Sequence, residues 1–171
     1  MTARLHVVLY KPLIHWNTGA IGRTCLGFGA KLHLVKPLGF ELDDTKIRRA
    51  GLDYWQHVDL AVHENWQDFQ DAELSRFSAA YLISKQDKLG EMSLLQTEFD
   101  FRSNDHGEAD VALIFGNEDK GLTGLPESAL RWPSVYIPMA PEIRSYNLAN
   151  SVNVVLWEAF RQRHKQGGPG A

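Results

Sequence analysis

"LHVVLYKPLIHWNTGAIGRTCLGFGAKLHLVKP", Leu5 to Pro37, carries the alternation on which the fold turns. Leu5 to Tyr10 is a short apolar run and reads as a buried strand. "NTGAIGRTCLGFGA" reads as a helix with Asn17 as its cap candidate and Gly29 as its stop. "KLHLVKP" then returns to the β-rich pattern bounded by a breaker. Outward from this unit the pattern repeats. "AAYLIS", "DVALIFG" and "SVYIPM" are further strands. "DDTKIRRAG" predicts a helix from Asp43 to Gly51 with Arg48 and Arg49 in its last turn, which suits the helix dipole. "ENWQDFQDAELS" offers Trp66, Phe69 and Leu74 as a core stripe, "GLPESALRW" holds a short helix, and a long helix starts at about Asn147. Strands alternating with helices predict an α/β fold, a mainly parallel sheet flanked by helices.

In such sheets ligands collect at the carboxyl ends of the strands. Three strand ends run into polar, glycine-bearing or otherwise unusual loops: "KPLIHWNTG" after Tyr10, "GNEDKGLTG" after Phe115, and "APEIRSYN" after Met139. The third leads into the last helix with Ser145, Asn147, Asn150 and Ser151 within two turns, more hydrogen-bonding groups than one N-cap requires. By contrast, Asp87 to Asp110 is polar and weakly patterned, and reads as a surface excursion without an assigned role.

The length of 171 residues fits one domain with a full core. We draw that domain over 1–163 and a flexible tail over 164–171, where "HKQGGPGA" ends in glycine and proline. Met1 to Tyr10 lacks the long apolar segment of a signal peptide and no later run reaches membrane-spanning length, so a cytoplasmic protein without a membrane partner is expected. Cys25 is the single cysteine and reads as a small buried helix residue. Seven histidines are scattered without H-x-x-x-H or H-E-x-x-H spacing, so no metal is expected. A net charge of −3 argues against a protein that coats nucleic acid nonspecifically, and leaves room for a local basic patch.

"FGNEDKGL" pairs Gly116 with Glu118 and Gly121, allowing close backbone approach to a ligand beside a carboxylate. It is neither a phosphate loop, since Leu122 stands where the Lys belongs, nor a dinucleotide fingerprint. Taken alone it reads equally as a glycine turn, and Arg23 alone reads as a solvated helix residue.

In order along the chain, N-x-G-x-x-x-R (Asn17 to Arg23), F-G-x-E-x-x-G-L (Phe115 to Leu122) and S-x-N-L-x-N-x-V (Ser145 to Val152) resemble the three motifs of the SPOUT class of RNA methyltransferases, which depend on S-adenosyl-L-methionine (AdoMet). "PLGFELDDTKIRRAGLDYW" (Pro37 to Trp55) is similar to a run in the tRNA (cytidine/uridine-34) 2'-O-methyltransferases. Departures are Trp16 where that family has proline, Ala20 where it has asparagine, and Asn117 and Lys120 at proline and arginine positions of the second motif.

The resemblance implies a SPOUT fold with a C-terminal trefoil knot, AdoMet as cofactor, tRNA as substrate and a homodimer. It implies Arg23 as the catalytic residue nearest the ribose hydroxyl, supported by Ser145 and Asn147. The cofactor pocket would include Leu82, Gly116, Glu118, Ile137 and Ser145, and RNA would be contacted by Asn17, Arg48, Arg49 and Arg144. The last helix carries Leu148, Val152, Val155, Leu156, Ala159 and Phe160, with Val154 and Trp157 off that face, and is expected to be buried on more than one side. Two other readings stay open: methylation of another tRNA or rRNA ribose, and a noncatalytic AdoMet- or RNA-binding module.

Overall fold

The computed structural model describes residues 3–42, 53–85, 92–104, 107 and 109–166. The helix expected over Asp43 to Gly51, with Arg48 and Arg49, lies outside them. The strands are β1 (Leu5–Tyr10), β2 (Lys31–Val35), β3 (Leu60–His63), β4 (Phe77–Ser84), β5 (Met92–Ser93), β6 (Asp110–Phe115) and β7 (Ser134–Tyr136). They form one sheet in the order β3-β2-β1-β6-β4-β7-β5, and every pairing is parallel. Among the described residues the α-helices are α1 (His15–Phe28), α2 (Trp66–Glu73), α3 (Glu127–Leu130) and α4 (Leu148–Gln166).

β1 is buried along its whole length because both faces of the sheet are covered, which is why its sequence is continuously apolar. Leu5, Val7 and Leu9 pack in one core with Ile21 and Cys25 of α1 and Val152, Val155 and Leu156 of α4. Val8 and Tyr10 point the other way, into a core shared with Trp66 and Phe69 of α2 and Ala129 of α3. Cys25 is fully buried and burial pushes its thiol up to about 12, so it is an inert packing residue.

Helix α1 stops where expected: Gly29 adopts φ 64°, and the Gly29 and Ala30 N–H groups close onto Leu26 and Cys25 carbonyls. Its start differs. The helix begins at His15 from an Ile14 cap that has no side-chain cap bond, and Asn17 lies inside the first turn, 4% exposed. The segment read as a surface excursion also differs. Its residues 92–93 add the edge strand β5, and Leu94 and Phe99 enter the core. Phe99 meets Tyr81 edge-on at 4.9 Å, and its N–H donates to Gln162 Oε1 at 2.9 Å.

Helix α4 buries Leu148, Val152, Val155, Leu156 and Ala159 on a single stripe. Val154 and Trp157 remain 45% and 52% exposed, so burial on more than one side does not hold within one chain. The helix continues to Gln166, beyond the domain boundary drawn at 163. No helix among the described residues is long and apolar enough to cross a membrane.

Three histidines cross the sheet diagonally on one face. His33 sits two residues beyond the β2 partner of His6, and His63 two beyond the β3 partner of His33. Burial favours the neutral form of each ring, and with neutral rings Asp110 fixes the direction of the chain because a carboxylate only accepts. His6 Nε2–H donates to Asp110 Oδ2 (3.1 Å), His33 Nε2–H to His6 Nδ1 (2.9 Å), and His63 Nε2–H to His33 Nδ1 (3.1 Å). Burial holds His33 down at about 2, and repulsion from a charged His6 acts in the same direction. Burial likewise lowers His6 and His63, only partly opposed by Asp110 and Asp68 respectively.

Candidate active site

The three unusual loops meet at the carboxyl ends of β1, β6 and β7, around a cleft of about 520 Å³. One wall is the loop after β6, from Gly116 to Leu122. A second is the segment after β7, through Ile137, Met139 and Ser145 to Leu148. Ile83, Ser84 and Lys85 close it from the end of β4, and Ile14 and Asn17 from the start of α1.

The loop after β6 is folded on itself. Asn117 and Gly121 exchange both backbone hydrogen bonds at 3.0 and 3.1 Å, and Asn117 Oδ1 accepts from the Asp119 and Lys120 N–H groups. Gly121 holds φ 59°, a left-handed conformation that suits glycine. Gly116 is required by the loop itself: a Cβ there would lie 2.0 Å from the Gly121 carbonyl carbon. A glycine at 116 is thus required by contact between two backbones, and Gly116 also lines the cleft. Asn117, visible in the sequence only as a departure from a motif, is the residue that turns this loop; an Asn two residues before the turn's amide donors is the available signal.

Glu118 supplies what the start of α1 lacks. Leu13 N–H donates to its Oε2 at 2.8 Å, and Ile14 N–H and Asn17 Nδ2 donate to its Oε1 at 3.2 and 3.0 Å. A carboxylate here also faces the positive end of the α1 dipole. Asn17 passes the connection on, since its Oδ1 accepts from Asn147 Nδ2 at 3.0 Å. Asn147 in turn caps α4, its Oδ1 accepting from Ala149 N–H at 2.9 Å. Glu118, Asn17 and Asn147 therefore tie together loops that are more than a hundred residues apart in sequence.

Gly116, Glu118, Ile137, Ser145, Asn147 and Asn17 all line this cleft. Leu82 is not in the lining: its side chain packs in the opposite core, and the end of β4 meets the cleft at Ile83 and Ser84. Arg144 is exposed beside Ser145 and outside the lining. Arg23 is also outside the lining, on the exposed side of α1, with its guanidinium over the Tyr54 ring at 4.7 Å. Arg48 and Arg49 fall outside the described residues.

The SpoU rRNA Methylase family matches residues 4–157, nine-tenths of the chain. The chain belongs to the SpoU rRNA Methylase family. Among SpoU relatives, a tRNA (cytidine(34)-2'-O)-methyltransferase of Yersinia pestis is 40% identical over 169 residues, covering 98% of this chain and 97% of its own. A solved structure described as giving structural insights into the 2-OH methylation of C/U34 on tRNA is 40% identical, with a TM-score of 0.77 over 95% of this chain and 97% of its own. An AdoMet-bound rRNA methyltransferase from Sinorhizobium meliloti is 26% identical, with a TM-score of 0.70 over 94% of this chain and 57% of its own. The expected α/β architecture is the observed one, and the SpoU assignment agrees with the three motifs from which it was anticipated.

Proposed function

We propose that this chain transfers the methyl group of AdoMet to the ribose 2'-hydroxyl of the tRNA wobble nucleotide, cytidine or uridine 34, acting in the cytoplasm as a homodimer. The observation that carries this reading is the Glu118–Asn17–Asn147 chain of hydrogen bonds, which holds all three motif loops around one cleft. The relatives that share this chain's full length and about 40% of its residues are named for that reaction.

The cleft suits the cofactor in size and chemistry. Its volume falls in the range of small-molecule sites. Ile83, Phe115, Ile137 and Leu148 give apolar walls for an adenine, and the backbone around Gly116, Ile137 and Ser145 offers polar groups beside them. When bound, AdoMet supplies a methyl group already activated on a sulfonium. Residues 137–148 would wrap the ligand and form the trefoil knot that the family resemblance implies.

The protein's task is then to hold the attacking hydroxyl in line with that methyl and to steady the charge that develops on its oxygen. Arginine is not deprotonated in proteins, so Arg23 serves as orienter and electrostatic stabiliser rather than base. Ser145 contributes a hydroxyl inside the cleft, while Asn147 positions the walls. Arg23 lies on the exposed side of α1, and α4, which meets that helix through Phe28 and Trp157, leaves Val154 and Trp157 exposed as an apolar surface. Association of two chains across that surface puts Arg23 at the subunit boundary and widens the surface open to RNA, where Arg144, Arg48 and Arg49 contact phosphate.

The test is to incubate the purified protein with AdoMet and unmodified tRNA and to map 2'-O-methylation nucleotide by nucleotide. Methylation confined to ribose 34 is expected. Methylation at a different ribose would replace the substrate, and AdoMet binding without transfer to any RNA would leave a noncatalytic module.

A further inference from the structure

We propose that Trp16 is the surface on which the base of the methylated nucleotide stacks, an assignment that rests on the tRNA reading above. Trp16 is 67% exposed, more than any other aromatic side chain among the described residues. It occupies the first turn of α1 between Ile14 and Asn17, both of which line the cleft. The family resemblance places a proline here, so the indole is a property of this chain.

Packing does not explain the residue. Trp16 belongs to neither core, and the aromatic contact of α1 with Trp157 and Phe160 is made by Phe28, twelve residues and about 18 Å further along α1 at the rise of an α-helix. What touches Trp16 is His15, whose ring meets it edge-on at 4.7 Å and lies 6.4 Å from Phe40. This lateral contact steadies the indole while two-thirds of it stays open to solvent. Trp16, Ala20 and Arg23 fall at i, i+4 and i+7 and are all exposed, so the indole shares a face with the guanidinium and the small Ala20 leaves the space between them clear.

A 2'-hydroxyl can enter the cleft only if its nucleotide leaves the stack of the loop that holds it, and unstacked bases are held on aromatic side chains. Lys85 and Lys120 on the cleft rim provide positive charge for the flanking phosphates. Stacking does not depend on a base's hydrogen-bonding edge. A platform of this kind therefore accepts cytidine and uridine alike, while the hydroxyl itself is selected in the cleft.

The decisive measurement uses the full chain and an anticodon stem-loop RNA in two forms: one with its natural base at the methylated nucleotide, the other with an abasic ribose that keeps the 2'-hydroxyl. Trp16→Ala should weaken binding of the natural RNA roughly 5- to 100-fold, the scale of losing one base–aromatic stack, with AdoMet affinity unchanged. Trp16→Phe should recover most of that loss. The abasic RNA should cost the wild-type protein a similar factor, and Trp16→Ala should bind the two RNAs equally, because the same stack cannot be lost twice. Undiminished binding by Trp16→Ala, or two losses that simply add, overturns the platform. So does a change of molecular mass in Trp16→Ala by light scattering, which reassigns the indole to a subunit contact. Absence of ribose methylation by the wild-type protein would instead remove the tRNA reading, and the platform with it.

Discussion

Glu118 does the work of a helix cap from 104 positions away, and this makes it a sensitive point in the site. Glu118→Ala removes the acceptor of two backbone N–H groups and of the nearly buried Asn17 amide, which is expected to cost about 1–3 kcal/mol of stability in urea titration. Glu118→Gln keeps one acceptor oxygen and should fall between wild type and alanine; an alanine variant as stable as wild type would show the network to be idle. Arg23 makes the opposite prediction, because it lies outside the cleft and holds up no wall. Arg23→Ala should leave AdoMet affinity nearly unchanged while lowering single-turnover methyl transfer roughly a hundredfold or more, and Arg23→Lys should rescue only part, since lysine lacks the planar fork. Loss of AdoMet binding in Arg23→Ala would recast it as a pocket residue. The residues around the cleft were legible in the sequence because motif types and order survive in a linear reading. Their partnerships were not: Asn17 read as a cap because Asn is a good cap, whereas its bonds run to Glu118 and Asn147, 101 and 130 positions away.

Elements were legible where a face is long and uniformly apolar, as in β1 and β6, and where a glycine stops a helix, as at Gly29. They were not where burial rests on isolated residues. β3 has four residues and ends in His63, β5 has two, and Phe99 enters the core from a polar stretch with no period to reveal it. The histidine chain was equally hidden, since His6, His33 and His63 read as scattered until parallel pairing aligns them. That chain predicts how stability depends on pH. The charges around it are Asp110, Glu73 and Asp68, which favour protonation, and Lys31 and Arg4, which oppose it. In the unfolded chain each histidine takes a proton near pH 6.5, while in the fold burial keeps His33 neutral to about 2. Between those values the unfolded state binds more protons, so stability is full above about pH 6.5 and falls as pH drops. The His33 share approaches a slope of about 1.4 kcal/mol per pH unit below that point. Urea midpoints measured from pH 7.5 to 5 should show the decline, and His33→Gln should be less stable at pH 7.5 but flatter across the range. An unchanged slope in His33→Gln would assign the acid sensitivity to other groups.

At the scale of the whole molecule, the two helices that cover one face of the sheet leave an apolar outer surface. Phe28, Trp157 and Phe160 form an aromatic group with centroid separations of 5.0 to 6.1 Å, where α1 meets α4. Trp157 carries it into solvent at 52% exposure, and Val154 on the same helix is 45% exposed. Exposed aromatic surface of this kind suits an interface, and a second copy of the same helix pair would cover it symmetrically. Trp157→Glu places a charge at the centre of that contact without entering the core, so it should convert a particle of twice the 19.3 kDa chain mass into one of a single chain mass by light scattering. Its thermal stability as a monomer should show whether the fold depends on association. Because the proposed dimer puts Arg23 at the subunit boundary, the monomer should also lose most methyl transfer to tRNA while retaining folded structure by circular dichroism. A wild-type protein that is already monomeric at micromolar concentration would remove the interface, and Arg23 would then have to reach the hydroxyl from within its own chain. A Trp157→Glu monomer with full activity would separate assembly from catalysis and leave the patch as an interface without a part in the reaction.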